Sequence, residues 1–94
     1  MDLKNILQAS ENIKNQMNSL LPDISKEITT IIESDDKSVQ RIEELLDTLV
    51  NFGQMSIGKS DFVRLNSYYA TFNAEYADAY TAIYKSVNEV WFQK

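Results

Sequence analysis

The chain has 94 residues, of which 44% are hydrophobic, enough for one domain (residues 1–94) with a packed core. Two glycines and one proline are too few for a β-sandwich or barrel, and the absence of cysteine excludes disulfides and thiol chemistry. The net charge of −5 is spread along the chain, so we expect no direct binding of nucleic acid. The sequence shows no signal-peptide pattern and no apolar run near the ~18 residues of a membrane span. We therefore expect an all-α, cytoplasmic protein.

The first predicted helix covers residues 2–34. Its apolar residues recur at steps of three and four, which places them on one face of a helix. They are Leu3, Ile6, Leu7, Ile13, Met17, Leu20, Leu21, Ile24, Ile28, Ile31 and Ile32. Pro22 removes one backbone hydrogen bond and crowds the carbonyl of residue 18, so a kink is expected there. Ser19 could cap a second helix, but the apolar stripe keeps its phase across the proline, which favours one kinked helix.

The second predicted helix covers residues 37–52 and follows a polar break at residues 34–38. Its apolar side is formed by Val39, Ile42, Leu45, Leu46, Leu49 and Val50. The densest carboxylate group of the chain lies towards the other side and consists of Glu43, Glu44 and Asp47. We interpret this group as a solvated charge cluster rather than a metal site or an acid–base pair. Gly53 follows, where a left-handed C-cap glycine is expected.

The loop after this helix contains a phosphate-binding pattern, G-x-x-x-x-G-K-S, formed by Gly53, Gly58, Lys59 and Ser60. A P-loop joins a buried parallel strand to a helix, whereas the preceding residues RIEELLDTLVNF have a helical pattern. We therefore interpret the stretch as a helix–helix loop and keep nucleotide binding as a remote alternative. Met55 and Ile57 are apolar, so they are either a second contact with a partner or part of the bundle end.

The third predicted helix covers residues 60–93, with Ser60 as its N-cap and no breaker inside it. Its apolar arc contains Phe62, Leu65, Tyr69, Phe72, Tyr76, Ala79, Tyr80, Ile83, Tyr84, Val87, Val90 and Trp91. Together the elements predict an antiparallel three-helix bundle with a long C-terminal helix. The count becomes four if the chain folds back at Pro22.

The length of the third helix predicts an interface. At 1.5 Å per residue it spans about 50 Å and the second helix about 24 Å, so in most arrangements its end has no cover from the chain. Tyrosine suits an interface because its ring can be buried while its hydroxyl stays in water. The predicted interface residues are Tyr76, Tyr80, Ile83, Tyr84, Val87 and Trp91.

The functional prediction is a protein-interaction module rather than an enzyme. Without histidine the chain has no Ser-His-Asp arrangement and no histidine metal ligand, and we expect no metal and no cofactor. We expect the last helix to form a homo-oligomer, with a dimer as the simplest case, or to dock on a larger protein. The alternative is an acidic inhibitor, of phage or mobile-element type, that blocks a nucleic-acid-binding protein.

Overall fold

A computed structural model describes the backbone of residues 3–88 and the side chains of residues 12–88. It contains four α-helices: α1 (Leu3–Glu33), α2 (Val39–Gly53), α3 (Lys59–Ala70) and α4 (Ala74–Asn88). The described residues include no strand, which confirms the predicted all-α class. None of these helices is both long and apolar enough to span a bilayer.

The predicted single helix at residues 60–93 is wrong, because a three-residue turn at 71–73 divides its described part into α3 and α4. The Thr71 amide donates to the carbonyl of Tyr68 (3.0 Å), and the Thr71 hydroxyl donates to the same oxygen (2.6 Å). Two hydrogen bonds to a carbonyl three residues earlier tighten the last turn of α3 and end it. The next helix, α4, begins with the hydrogen bond that the Ala77 amide donates to the carbonyl of Asn73 (3.0 Å).

The first predicted helix is observed as one continuous element that contains Pro22. Ser19 does not cap a second helix, since its hydroxyl donates to the carbonyl of Gln16 (2.9 Å) inside α1. The kink at Pro22 stays a prediction.

The core forms where α3 packs against the other three helices. Its buried hydrophobic residues come from all four elements: Ile28, Ile31, Ile42, Leu46, Leu49, Val50, Phe62, Leu65, Tyr69, Ala77 and Tyr84. Two arginines tie α1 to its neighbours. Arg64 of α3 donates to the Thr29 hydroxyl (2.6 Å) and the Ser25 carbonyl (2.9 Å), and Arg41 of α2 donates to the Glu27 carboxylate (3.0 Å).

The helix that extends past its neighbours is α1. It has 31 residues, whereas α2, α3 and α4 have 15, 12 and 15. The side chain of Leu21 packs against the core, and a Cβ on Gly58 would lie 3.2 Å from its Cδ1 atom. Before Leu21, the side chains of residues 12–20 are exposed, apart from half-buried Met17. We call residues 12–20 the stem; the rest of the described side chains form the body.

Candidate functional site

The loop with the phosphate-binding pattern is built differently from the prediction. Gly53 is the last residue of α2 and has no left-handed conformation, so the predicted C-cap is wrong. The left-handed residues of this loop are Ser56 (φ 60°) and Gly58 (φ 80°). Gly58 directs the chain into α3, whose first turn already includes Ser60, so the predicted N-cap at Ser60 is also wrong.

The backbone amides of this loop are bonded to the end of α2. The amides of residues 54–57 donate to the carbonyls of Asn51, Phe52 and Gly53 at 2.9–3.2 Å. A phosphate cradle needs several amides that point away from the chain, and these four are engaged within it. Ile57 is buried at the end of the bundle and Met55 is half-buried, so of the two predicted loop contacts only Met55 retains substantial exposure.

Gly53 instead lies at a close crossing of α2 and α4. A Cβ at this position would lie 2.5 Å from Asn88 Nδ2 and 2.9 Å from the Tyr84 hydroxyl oxygen. Asn88 is buried there, and its amide donates to the carbonyl of Val50 (3.4 Å). The close approach of two helices therefore favours glycine at residue 53.

The predicted interface residues on α4 divide into two groups. Tyr84 is only 9% exposed, because its ring stacks on Phe62 with 4.3 Å between ring centroids. It is a core residue, which removes it as an exposed anchor. Four others follow one side of α4 at steps of four, three and four, and we call them the α4 stripe: Tyr76, Tyr80, Ile83 and Val87. Trp91 lies outside the described residues.

The α4 stripe combines exposed and anchored side chains. Tyr76 is 52% exposed and Ile83 46% exposed, while Tyr80 between them is half-buried. The Tyr80 hydroxyl donates to Asp47 Oδ1 (2.8 Å), so its ring is held in place against α2. Burial, followed by the hydrogen bond to Asp47, raises the pKa of Tyr80 well above its usual range. The stripe therefore offers apolar surface with one preordered aromatic ring.

A second tyrosine–carboxylate pair lies in the core. The Tyr69 hydroxyl donates to Glu43 Oε2 (2.6 Å) and accepts a hydrogen bond from Asn73 Nδ2 (3.1 Å). Burial and the nearby carboxylate raise the pKa of Tyr69 well above its usual range. The predicted solvated cluster is thus partly engaged in packing, since Glu43 and Asp47 each accept a tyrosine hydroxyl. Among the described residues, no cluster of acidic side chains is arranged to hold a metal ion.

An apolar groove of about 360 Å³ separates the outer sides of α3 and α4. Asn66 lies at its floor and donates both amide hydrogens within the chain, to the Ala77 carbonyl and the Thr81 hydroxyl (both 3.0 Å). Its Oδ1 atom is buried without a partner. These bonds fix α3 against α4, a role typical of an interhelical asparagine. The amide hydrogens of Asn66 are therefore not available to a ligand in the groove.

Comparison of the chain with protein-family models, with curated proteins and with solved structures finds no match. The fold and its surfaces define a small bundle of four helices with exposed apolar stripes.

Proposed function

We propose that this protein is a small, non-enzymatic helical interaction module that binds a larger protein or a second copy through the α4 stripe. The observation that carries the proposal is the half-exposure of Tyr76 and Ile83, two turns apart on one side of α4. Aromatic and aliphatic side chains exposed together are typical of protein interfaces.

The stripe has the energetic features of a binding anchor. Burying the exposed halves of Tyr76 and Ile83 would contribute about 1 kcal/mol each, half of the value for a fully exposed side chain. Tyr80 loses little conformational entropy on binding, because its hydrogen bond to Asp47 already orders the ring. A few such residues carry most of the affinity in many interfaces.

The bundle that presents this stripe is, in our proposal, antiparallel. Five residues (54–58) connect α2 to α3 and three (71–73) connect α3 to α4. Connections this short join antiparallel neighbours in helical bundles. In this bundle α1 is kinked at Pro22, where the ring removes one backbone hydrogen bond.

The alternative of an acidic inhibitor receives less support from the carboxylates of the body. Asp36 pairs with Arg41 (2.9 Å), Asp35 with Lys37 (2.7 Å) and Asp61 with Arg64 (3.2 Å). Charges shared with intrachain bases project a weaker field towards a basic target. We keep this alternative as one outcome of the test below.

The test compares two variants that add the same charge to different sides of α4. Tyr76→Glu with Ile83→Glu alters the stripe, whereas Ala82→Glu with Ser86→Glu alters exposed positions beside it. Each variant is used to capture proteins from the native host, with quantitative mass spectrometry, and is also sized by light scattering.

We expect the stripe variant to capture at least tenfold less of the partner than wild type and the control variant capture. We also expect the affinity of wild type for this partner to change little as the salt concentration rises. Equal retention by the stripe variant would refute the proposal. A partner lost from all variants as salt rises would favour the acidic inhibitor.

A further inference from the structure

We infer that the groove between α3 and α4 binds a small zwitterionic molecule, in which an apolar chain separates an ammonium from a carboxylate by about 10 Å. The groove has a volume of about 360 Å³, and small-molecule sites range from about 300 to 1,000 Å³. No residue of the α4 stripe lines it. The groove is therefore a second surface, separate from the one that carries the proposed function.

The two helices that form the groove run in opposite directions. Phe62, in the first turn of α3, stacks on Tyr84 near the end of α4, with 4.3 Å between ring centroids. Asn66, one turn later in α3, donates to the carbonyl of Ala77 near the start of α4. The start of α3 therefore lies beside the end of α4, and the rings of Phe62 and Tyr84 give this part of the groove an apolar lining.

Two lysines line the end of the groove where α3 begins. Lys59 is the first residue of α3, and Lys85 lies in the last turn of α4. Both are exposed, and neither forms an ion pair with another residue that the structure describes. An anion placed between two ammonium groups forms charge-assisted hydrogen bonds with both. This end of the groove therefore suits a carboxylate.

The other half of the groove presents hydrogen-bond acceptors. Asn66 lines it and is only 7% exposed, and its Oδ1 atom has no partner. The exposed carboxylate of Asp78 lines the same half. A buried acceptor without a donor is rare and costly, so a donor that enters the groove gains free energy there. Because Oδ1 is closed to solvent, the exposed side chains of Val63 and Ser67 must shift as the donor enters.

The spacing of the two ends selects the ligand. Asn66 follows Lys59 by seven residues in α3, a distance of about 10.5 Å along the helix. Lys85 follows Asp78 by seven residues in α4, which gives the same separation. A simple anion would leave the acceptors unpaired, and a simple amine would leave the lysines unpaired. An ammonium has three hydrogens, enough for both acceptors, so an extended zwitterion satisfies the two ends together.

The first experiment titrates the ¹⁵N-labelled full chain with 8-aminooctanoate, whose extended chain separates its charges by about 10 Å, and follows amide chemical shifts by NMR. We expect saturable shifts in the residues that line the groove, with a dissociation constant of about 1 mM. Octanoate lacks the ammonium, octylamine lacks the carboxylate, and 4-aminobutanoate has its charges about half as far apart. Each should bind at least about tenfold more weakly. No saturable shift in the groove, or equal binding of any of these three compounds, would overturn the inference.

Variants at exposed positions test each end of the groove separately. Lys59→Gln with Lys85→Gln should weaken the binding of 8-aminooctanoate at least about tenfold and leave the weak binding of octylamine unchanged. Asp78→Asn should weaken the binding of 8-aminooctanoate and leave that of octanoate unchanged. Wild-type affinity for 8-aminooctanoate in either variant would contradict the assigned ends.

Matched variants on α1 separate the groove from the overall charge of the protein. Lys14→Gln with Lys26→Gln removes two exposed lysines, and Asp23→Asn removes one exposed carboxylate. Both variants should bind 8-aminooctanoate like wild type. Equal weakening by the α1 variants and the groove variants would show a general charge effect and overturn the site.

The side-chain amide signal of Asn66 reports on the buried acceptor itself. We expect it to shift when 8-aminooctanoate binds and to shift much less with octanoate, which brings no donor to Oδ1. An Asn66 signal that stays unchanged at saturation would overturn the inference. The variant Tyr76→Glu with Ile83→Glu should bind 8-aminooctanoate like wild type, since neither residue lines the groove. The groove site and the proposed function can therefore fail independently.

Discussion

Replacement of Gly53 by alanine tests whether this glycine belongs to the packing of α2 against α4. The new Cβ would lie 2.5 Å from Asn88 Nδ2, 2.9 Å from Asn88 Cγ and 2.9 Å from the Tyr84 hydroxyl oxygen. Favourable contacts between carbon atoms lie at about 3.5–4.0 Å, so both side chains must move by roughly 1 Å. Both are buried, which leaves them little room to do so.

The magnitude follows from two opposing effects. Overpacking a well-filled site costs about 1–3 kcal/mol. Alanine in a helix is favoured over glycine by about 0.5–1 kcal/mol, and Gly53 has a helical conformation. We therefore expect Gly53→Ala to lower the free energy of unfolding by about 1–2 kcal/mol, with each kcal/mol corresponding to a fall in melting temperature of about 4–8 °C.

Urea unfolding followed by far-ultraviolet circular dichroism measures this change, with an unaltered m value as the sign of an unchanged unfolding reaction. Asn88→Ala removes the amide that lies closest to the new Cβ. In that background the penalty of Gly53→Ala should shrink by about 1 kcal/mol, which a double-mutant cycle detects. A Gly53→Ala protein as stable as wild type, or an equal penalty in both backgrounds, would refute the proposed steric role.

Three more predictions concern stability. Tyr69→Phe removes the hydroxyl bound to Glu43 and should lower the free energy of unfolding, measured in urea, by about 1–2 kcal/mol. The raised pKa values of Tyr69 and Tyr80 mean that the unfolded chain loses these protons first. The stabilisation that these two protonated tyrosines contribute should therefore be complete below pH about 10 and decrease above it. Urea midpoints and tyrosinate absorbance at rising pH would show this decrease. Pro22→Ala restores a backbone donor inside α1 and should increase the helical ellipticity at 222 nm. Because proline inside a helix is less favourable than alanine by about 3 kcal/mol, the free energy of unfolding should rise by up to this amount.

The helical class and the continuity of α1 could be predicted because both depend on local periodicity. The turn between α3 and α4 could not be found in this way. Tyr69, Phe72 and Tyr76 continue the apolar steps of three and four across the break, and two helices that face the same core give the same pattern as one. The available signal was Asn73, a favourable N-cap residue, followed by Glu75 in the first turn of α4.

The surfaces were harder to predict than the helices, because exposure depends on residues distant in the sequence. Tyr84 is buried by Phe62, and the close approach of Asn88 favours glycine at position 53. A sequence pattern assigned Tyr84 to the interface and Gly53 to a cap or a phosphate loop, since those interpretations need only neighbouring residues. The tertiary contacts that decide between them join positions more than twenty residues apart.

The exposure of the stem has a physical origin in helix length. A helix of 31 residues extends about 46 Å, whereas helices of 12–15 residues extend about 18–23 Å and can cover only half of it. Ile28 and Ile31 are fully buried in the covered half, and Ile13 and Leu20 are about half exposed in the other, although all four belong to one apolar face. The fold needs only the covered half of that face. The apolar residues of the stem therefore contribute little to the stability of the described body.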